Sequence, residues 1–393
     1  MKKGTLELLI IGLAKAGGLF IAFYSIVFIS IQGGVSELGK FSAVTSILAP
    51  LVMFVTFRYV EFINAAADKF KAFSEIFWVG GCLYAIAAVL VGLFLWVYDS
   101  MGIAFYIFAL VAIYKIFELF NDLLTTTLFA VGQKRLAISV IAAKVLAIVV
   151  LSIVWHWLVG LSALNTMCAA LVSGFIGCFL LIDLPICVRY HLMHKTNFSE
   201  MMNFIKKNIG LGFFNLLISL NSTLPRYYIL YFGDFYQLGL YTLIYQISAT
   251  AVNIVQYPIS VKVEAIAKIF RVRPGVEWRL FLGQFFGVAL LLAGGFLSQS
   301  LPIVYAGLAS LAMFVGLSIR GIFITACLGL GVVRDYVQTL VISILAGVVF
   351  LAVFELIHFD GSRLLLSFIY VLISSAVTSL ILIKRIHSNA RVA

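Results

Sequence analysis

Nine ionisable side chains stand inside stretches of this sequence that are otherwise apolar: Lys15, Arg58, Glu61, Lys115, Glu118, Asp122, Lys144, Arg226 and Arg320. Two kinds of chemistry suit them: electrostatic capture of an anion by the basic groups, and reversible binding of H+ or Na+ by the acidic ones. Lys115, Glu118 and Asp122 fall at i, i+3 and i+7, on one helical face, and two carboxylates for one lysine leave an acid in excess. Glu118, Asp122 and Glu61 are therefore the candidates for ion coupling. Arg58 and Glu61 form a further i, i+3 pair, readable either as a structural lock or as a contact to cargo or gate. Lys15 has no acid one turn away and calls for a partner on another helix or for a ligand. Arg226 follows Pro225, and a proline in an apolar run removes a backbone donor and offers a kink or hinge. Lys144 and Arg320 are expected to snorkel to the inner headgroups.

Enzyme and cofactor signatures are missing. There is no Gly-Lys-Ser/Thr loop to cradle phosphates, so a P-loop ATP site is excluded. His191 and His194 lack nearby Cys or paired acids and read as loop, and His156 between Trp155 and Trp157 reads as an interfacial belt. Cys82, Cys168, Cys178, Cys187 and Cys327 show no metal spacing and read as small packing residues. No cofactor and no metal centre are expected, only a coupling ion.

The elements that must position these charges follow from composition. Of 393 residues, 63% are hydrophobic and 11% charged, and the apolar runs lie near 7–30, 41–66, 74–98, 103–130, 137–157, 166–186, 209–232, 238–262, 281–297, 302–327, 336–355 and 362–383. Each is long enough for a helix to cross a hydrocarbon core of ~30 Å, and alternating strand patterns are missing. The expected class is an all-α polytopic membrane protein of about twelve transmembrane helices. The net charge of +11 forms no nucleic-acid patch, because Lys and Arg gather in alternate loops. By the positive-inside rule both termini are expected in the cytoplasm, with Lys40 and Arg363 in outer loops. The Met1-Lys2-Lys3 start is read as a retained first span and not a cleaved leader.

An internal repeat organises the spans. Gly33-Gly34-Val35-Ser36-Glu37-Leu38-Gly39 reappears 200 residues later as Gly233-Asp234-Phe235-Tyr236-Gln237-Leu238-Gly239. Gly132-Gln133-Lys134-Arg135 likewise pairs with Gly331-Val332-Val333-Arg334. Six spans per half make the halves parallel repeats, expected to enclose a central cavity. The boundaries read as an N-terminal six-helix bundle over 1–186, a cytoplasmic linker over 187–208 carrying either a short surface helix or a solvated basic tether, and a C-terminal bundle with its tail over 209–393. Six buried basic groups against three acidic ones predict a cationic lining and an anionic cargo.

The segment Leu220-Asn221-Ser222-Thr223-Leu224-Pro225-Arg226-Tyr227-Tyr228-Ile229-Leu230, with Leu238-Gly239-Leu240-Tyr241 after it, resembles the span-seven signature of bacterial polysaccharide repeat-unit (O-antigen and capsule) flippases. These belong to the multidrug/oligosaccharidyl-lipid/polysaccharide exporter superfamily. Arg58-Tyr59-Val60-Glu61 and Leu38-Gly39-Lys40-Phe41 resemble two further stretches of that family. The resemblance implies a bacterial inner-membrane location and a cargo of oligosaccharide linked through pyrophosphate to undecaprenol. It also implies membrane lipids, a polysaccharide polymerase and a chain-length regulator as partners. Lys15, Arg58, Lys115 and Arg226 would then bind the substrate while the halves alternate access around Pro225. Two rivals stand beside this reading: a cation-coupled multidrug exporter of the same superfamily, which favours an acidic cavity, and a membrane-embedded enzyme of polysaccharide assembly, for which no large outer loop is present.

Overall fold

The computed structural model describes residues 3–56, 68–98, 105–192, 197–260, 302–329, 333–356 and 363–390, with isolated positions 63, 66 and 282. Eleven helices account for nearly all of them. They are α1 (Lys3–Gln32), α2 (Val35–Val55), α3 (Lys69–Tyr98), α4 (Phe105–Ala130), α5 (Lys134–Leu158), α6 (Ala163–Arg189), α7 (Phe198–Phe232), α8 (Phe235–Ser260), α9 (Pro302–Gly329), α10 (Val333–Leu356) and α11 (Arg363–Ala390). No strand occurs among the described residues. In hydrocarbon each backbone donor and acceptor must be satisfied within its own segment, which an apolar helix does. Six described helices combine the length and the mean hydropathy needed to cross a membrane. The protein is a multi-pass membrane protein, and large apolar side chains such as Leu90, Leu146, Leu181 and Val349 are more than half exposed, as lipid-facing residues are.

The repeat is visible in the element order. α1 and α7 end 200 residues apart, at Gln32 and Phe232, α2 and α8 begin at Val35 and Phe235, and α6 and α11 begin at Ala163 and Arg363. Packing repeats with it: α4 lies against α2 and α6, as α9 lies against α8 and α11, and α5 pairs with α6 as α10 pairs with α11. The chain divides into two compact units, Met1–Ser219 and Leu220–Ala393. The boundary between them falls inside α7, and residues 261–301, where the repeat would place the counterpart of α3, lie outside the described residues apart from Leu282.

The first turn between helices is tighter than the sequence suggests. The connection expected from Gln32 to Lys40 is only Gly33 and Gly34, and Leu38, Gly39 and Phe41 are buried residues of α2. Gly34 adopts φ 84°, which an L side chain would strain. Much of the expected linker is helical too: from Phe198 it opens α7, a single helix of 35 residues. Phe204, Met201 and Ile205 pack there on an inner core of Phe73, Ile76, Leu123 and Val140, and Asn215 donates to the Thr56 hydroxyl at 3.0 Å.

Small residues let the paired helices approach. A Cβ on Gly174 of α6 would meet Ile148 of α5 at 2.8 Å, and one on Gly347 of α10 would meet the Tyr370 ring of α11 at 2.2 Å. Tyr370 is fully buried, so its ring has nowhere to swing. Gly347→Ala should therefore destabilise the second unit by on the order of 1–3 kcal/mol, read as a lower unfolding midpoint of the purified protein in detergent.

Candidate functional site

Lys144 lies ten residues into α5, ~15 Å along the axis and near mid-bilayer. Its side chain is fully buried, and its ammonium donates to Asp183 Oδ2 at 2.5 Å and to Asn121 Oδ1 at 2.5 Å. The expected snorkelling to the headgroups is thus corrected: α4 and α6 supply oxygens, so the chain has no reason to bend toward water. An uncompensated charge at the bilayer centre costs about 2.5–3.5 kcal/mol on insertion scales, and a carboxylate within hydrogen-bond reach cancels it.

Local geometry brings Asp183 there. Residues Phe179–Asp183 of α6 wind as a π-helix, immediately before Pro185. Proline lacks the N–H that would bond the carbonyl four residues earlier, and its ring crowds that carbonyl, so the turn widens. Asp183 is only 2% exposed and its Oδ1 has no hydrogen-bond partner among the described residues. Sequence reasoning missed this residue. It sits near the inner end of its apolar run and 39 positions from Lys144, so no helical spacing links the two.

On α4, Lys115 and Glu118 form the expected i, i+3 ion pair, with side chains 21% and 29% exposed. The Lys115 ammonium also lies 5.1 Å from the centre of the Tyr114 ring. Asp122, one turn further, is exposed, while its neighbour Asn121 is buried against Lys144. The interiors of α4, α5 and α6 hence carry Lys115 and Lys144 against Glu118, Asp122 and Asp183, two positive charges to three negative. Within these three helices the acids outnumber the lysines.

The second unit holds its arginines differently. Pro225 sits inside α7 without ending it, and its carbonyl accepts from Ser367 at 3.4 Å. The Arg226 guanidinium lies 5.1 Å from the Tyr245 ring centre. Arg320 does not reach for headgroups either: with the Asn221 amide oxygen facing it, Arg320 donates at 3.0 and 3.3 Å, and the Asn221 NH2 reaches Ser374 at 2.9 Å and Tyr370 at 3.2 Å. Tyr228 donates to Glu355 at 2.5 Å and Arg363 meets the same carboxylate at 3.5 Å. Of these arginines, Arg363 pairs with Glu355, while Arg226 lies on an aromatic ring and Arg320 on an amide. The Lys15 side chain, Arg58 and Glu61 lie outside the described residues.

Other sequence readings resolve locally. Cys168, Cys178 and Cys187 are buried while Cys82 is exposed, and among the described residues no group of His, Cys, Asp and Glu could hold a metal. His156 packs edge-on to Phe28 and Trp157, and Trp157 is 74% exposed, consistent with a belt. Glu37 accepts from the Leu164 N–H at 3.1 Å, a carboxylate at the positive end of α6.

No protein-family model and no curated protein sequence matches the chain. Solved structures do. A eukaryotic MATE transporter, AtDTX14, superposes with a TM-score of 0.63 at 13% identity, covering 98% of this chain and 98% of that one. An outward-facing multidrug resistance MATE family transporter of the MOP superfamily gives 0.60 at 12% identity over 98% and 94%. The fold is that of the MATE transporters. A MOP superfamily transporter from Pyrococcus furiosus, described as having a binding pocket of reverse polarity that suggests a different function, gives 0.57 at 14% identity over 98% and 94%. At such identities the MATE likeness concerns the arrangement of about twelve helices, and the residues of the site are this chain's own. Asp183→Asn would strand the Lys144 charge in the MATE-type N-terminal unit and should cost about 3–5 kcal/mol, seen as loss of folded protein after mild heating in detergent.

Proposed function

We propose that the protein is a cation-coupled transporter that carries a solute across the membrane by alternating access. The observation that carries this reading is Asp122, an exposed carboxylate on a mid-span helix next to a paired Lys115 and Glu118. An acid there binds H+ or Na+ reversibly, and its occupancy biases one conformation over another. Glu118 tunes that acid through its charge, and Glu61 is retained as a second coupling candidate. Pro225, which interrupts backbone bonding in α7 without breaking the helix, is retained as the hinge.

Two cargoes suit such a machine, and different observations favour each. The excess acid of the first unit and the multidrug MATE neighbours favour an exporter of cationic drugs. The arginine-rich second unit, with Arg226 and Arg320 among Tyr245 and Tyr370, and the span-seven segment Leu220–Leu230 favour an undecaprenyl-pyrophosphate-linked oligosaccharide moved to the outer leaflet of a bacterial inner membrane. Lys15, Arg58, Lys115 and Arg226 bind the pyrophosphate in that second reading, polymerase and chain-length regulator are its partners, and both termini lie in the cytoplasm.

One pair of assays separates them. Deletion of the gene and complementation should change either drug susceptibility or surface polysaccharide, with Arg226→Ala abolishing only the latter. Under either cargo, Asp122→Asn should lower transport at least tenfold at unchanged membrane level, and full activity of that variant would remove Asp122 from the coupling role.

A further inference from the structure

Asp183 offers two carboxylate oxygens to the interior of the first unit and uses one. Oδ2 takes the Lys144 ammonium, and Oδ1 is buried with no hydrogen-bond partner among the described residues. The same nitrogen meets Asn121 Oδ1 at 2.5 Å, so a carboxylate from α6 and an amide oxygen from α4 converge on one positive centre. Anionic and neutral oxygens at about 2.3–2.6 Å are what a hard metal cation takes when it sheds water. Here the position is filled by a side chain. The other groups that act on Lys144 are Asp122 of α4 and Cys178 of α6. Cys187 of α6 feels Asp183 and Lys144 in turn. On α1, Tyr24 is engaged with Ser152 at 2.6 Å, and on α2 Glu37 is held at the outer end by Leu164.

We propose that the Lys144 ammonium is a resident cation, occupying an oxygen-lined site of Asp183 and Asn121 that would otherwise take Na+ or H+. In the native protein this site exchanges neither ion. The fixed ammonium is the counter-charge of Asp183 and ties α4, α5 and α6 together, and the exchangeable cation is left to Asp122. This last assignment rests on the coupled-transport reading above; the occupancy of the Asp183 site does not. Lys144 is a positioning residue in this scheme: removing it should convert a silent site into an ion-responsive one.

The test uses the purified full-length protein in detergent with Asp122→Asn as background, so that exchange at that carboxylate does not contribute. Unfolding midpoints are compared in sodium chloride and choline chloride at equal ionic strength, at pH 8 and pH 5.5. The background should show the same midpoint in both salts. Added Lys144→Ala should lower it by several degrees in choline at pH 8, with recovery in Na+ or at pH 5.5, where protonation neutralises Asp183. Adding Asp183→Asn to Lys144→Ala should erase both recoveries. A Na+-dependent rise in the background that Asp183→Asn abolishes would overturn the proposal, since the site would then take a free ion with Lys144 present. So would a Lys144→Ala protein indifferent to both Na+ and acid. Should Lys144→Ala yield no folded protein, the neutral pair Lys144→Met with Asp183→Asn decides: it must accumulate normally, and its failure to do so contradicts the counter-cation role. These midpoints do not depend on the solute carried, so a mistaken cargo leaves this test intact, and its failure leaves transport to be judged by the assays above.

Discussion

The structure depends on one constraint: a charge held in hydrocarbon must meet its counter-charge inside the protein. Lys144 with Asp183 satisfies it most completely, as both side chains are almost wholly removed from solvent and lipid. The pair joins α5 to α6 and, through Asn121, both to α4, the helix that carries Lys115, Glu118 and Asp122. Compensation of the buried lysine therefore fixes the rotation of the helix on which the exposed acid stands. A change in the state of Asp122 acts one residue from that junction.

The two units meet the constraint differently. In the first, three carboxylates serve two lysines, so the residual charge is negative and sits on an exposed side chain. In the second, Arg226 lies against an aromatic face and Arg320 reaches an amide within a Ser and Tyr cluster. Guanidinium is weakly hydrated and stacks on aromatic rings, so it tolerates such surroundings better than an ammonium would. The buried hydroxyls of Ser367, Ser374, Ser375, Thr378 and Ser379 make α11 the polar partner in that unit. An internal repeat thus retains backbone architecture while its halves diverge in charge, which suits a division of labour between ion and solute.

Much of the fold was legible because the bilayer leaves so few solutions. Span number, helix class and the 200-residue repeat all follow from hydropathy and from short echoes such as Gly33 and Gly233. The Lys115–Glu118 pair was legible for the same reason that helices are, since its spacing is local. What the sequence concealed were contacts between helices. Lys144 reads as a snorkelling residue because its acid lies on another span, and Asp183 goes unmarked because a contact across 39 positions leaves no helical spacing. Asp183 adds a fourth acid to the six basic groups and three acids that the spans show in sequence. Arg320 was misplaced on the same grounds, its amide partner being a residue of α7.

Once the buried charges are paired, the exposed Asp122 is the group proposed to exchange a cation. Charge displacement recorded on proteoliposomes adsorbed to a solid-supported membrane, after a rapid jump in proton or sodium concentration without solute, tests it directly. A transient current in the native protein that vanishes in Asp122→Asn and survives in Glu118→Gln is the predicted result. A current unchanged in Asp122→Asn, or none in the native protein under either ion, would exclude Asp122 from cation exchange.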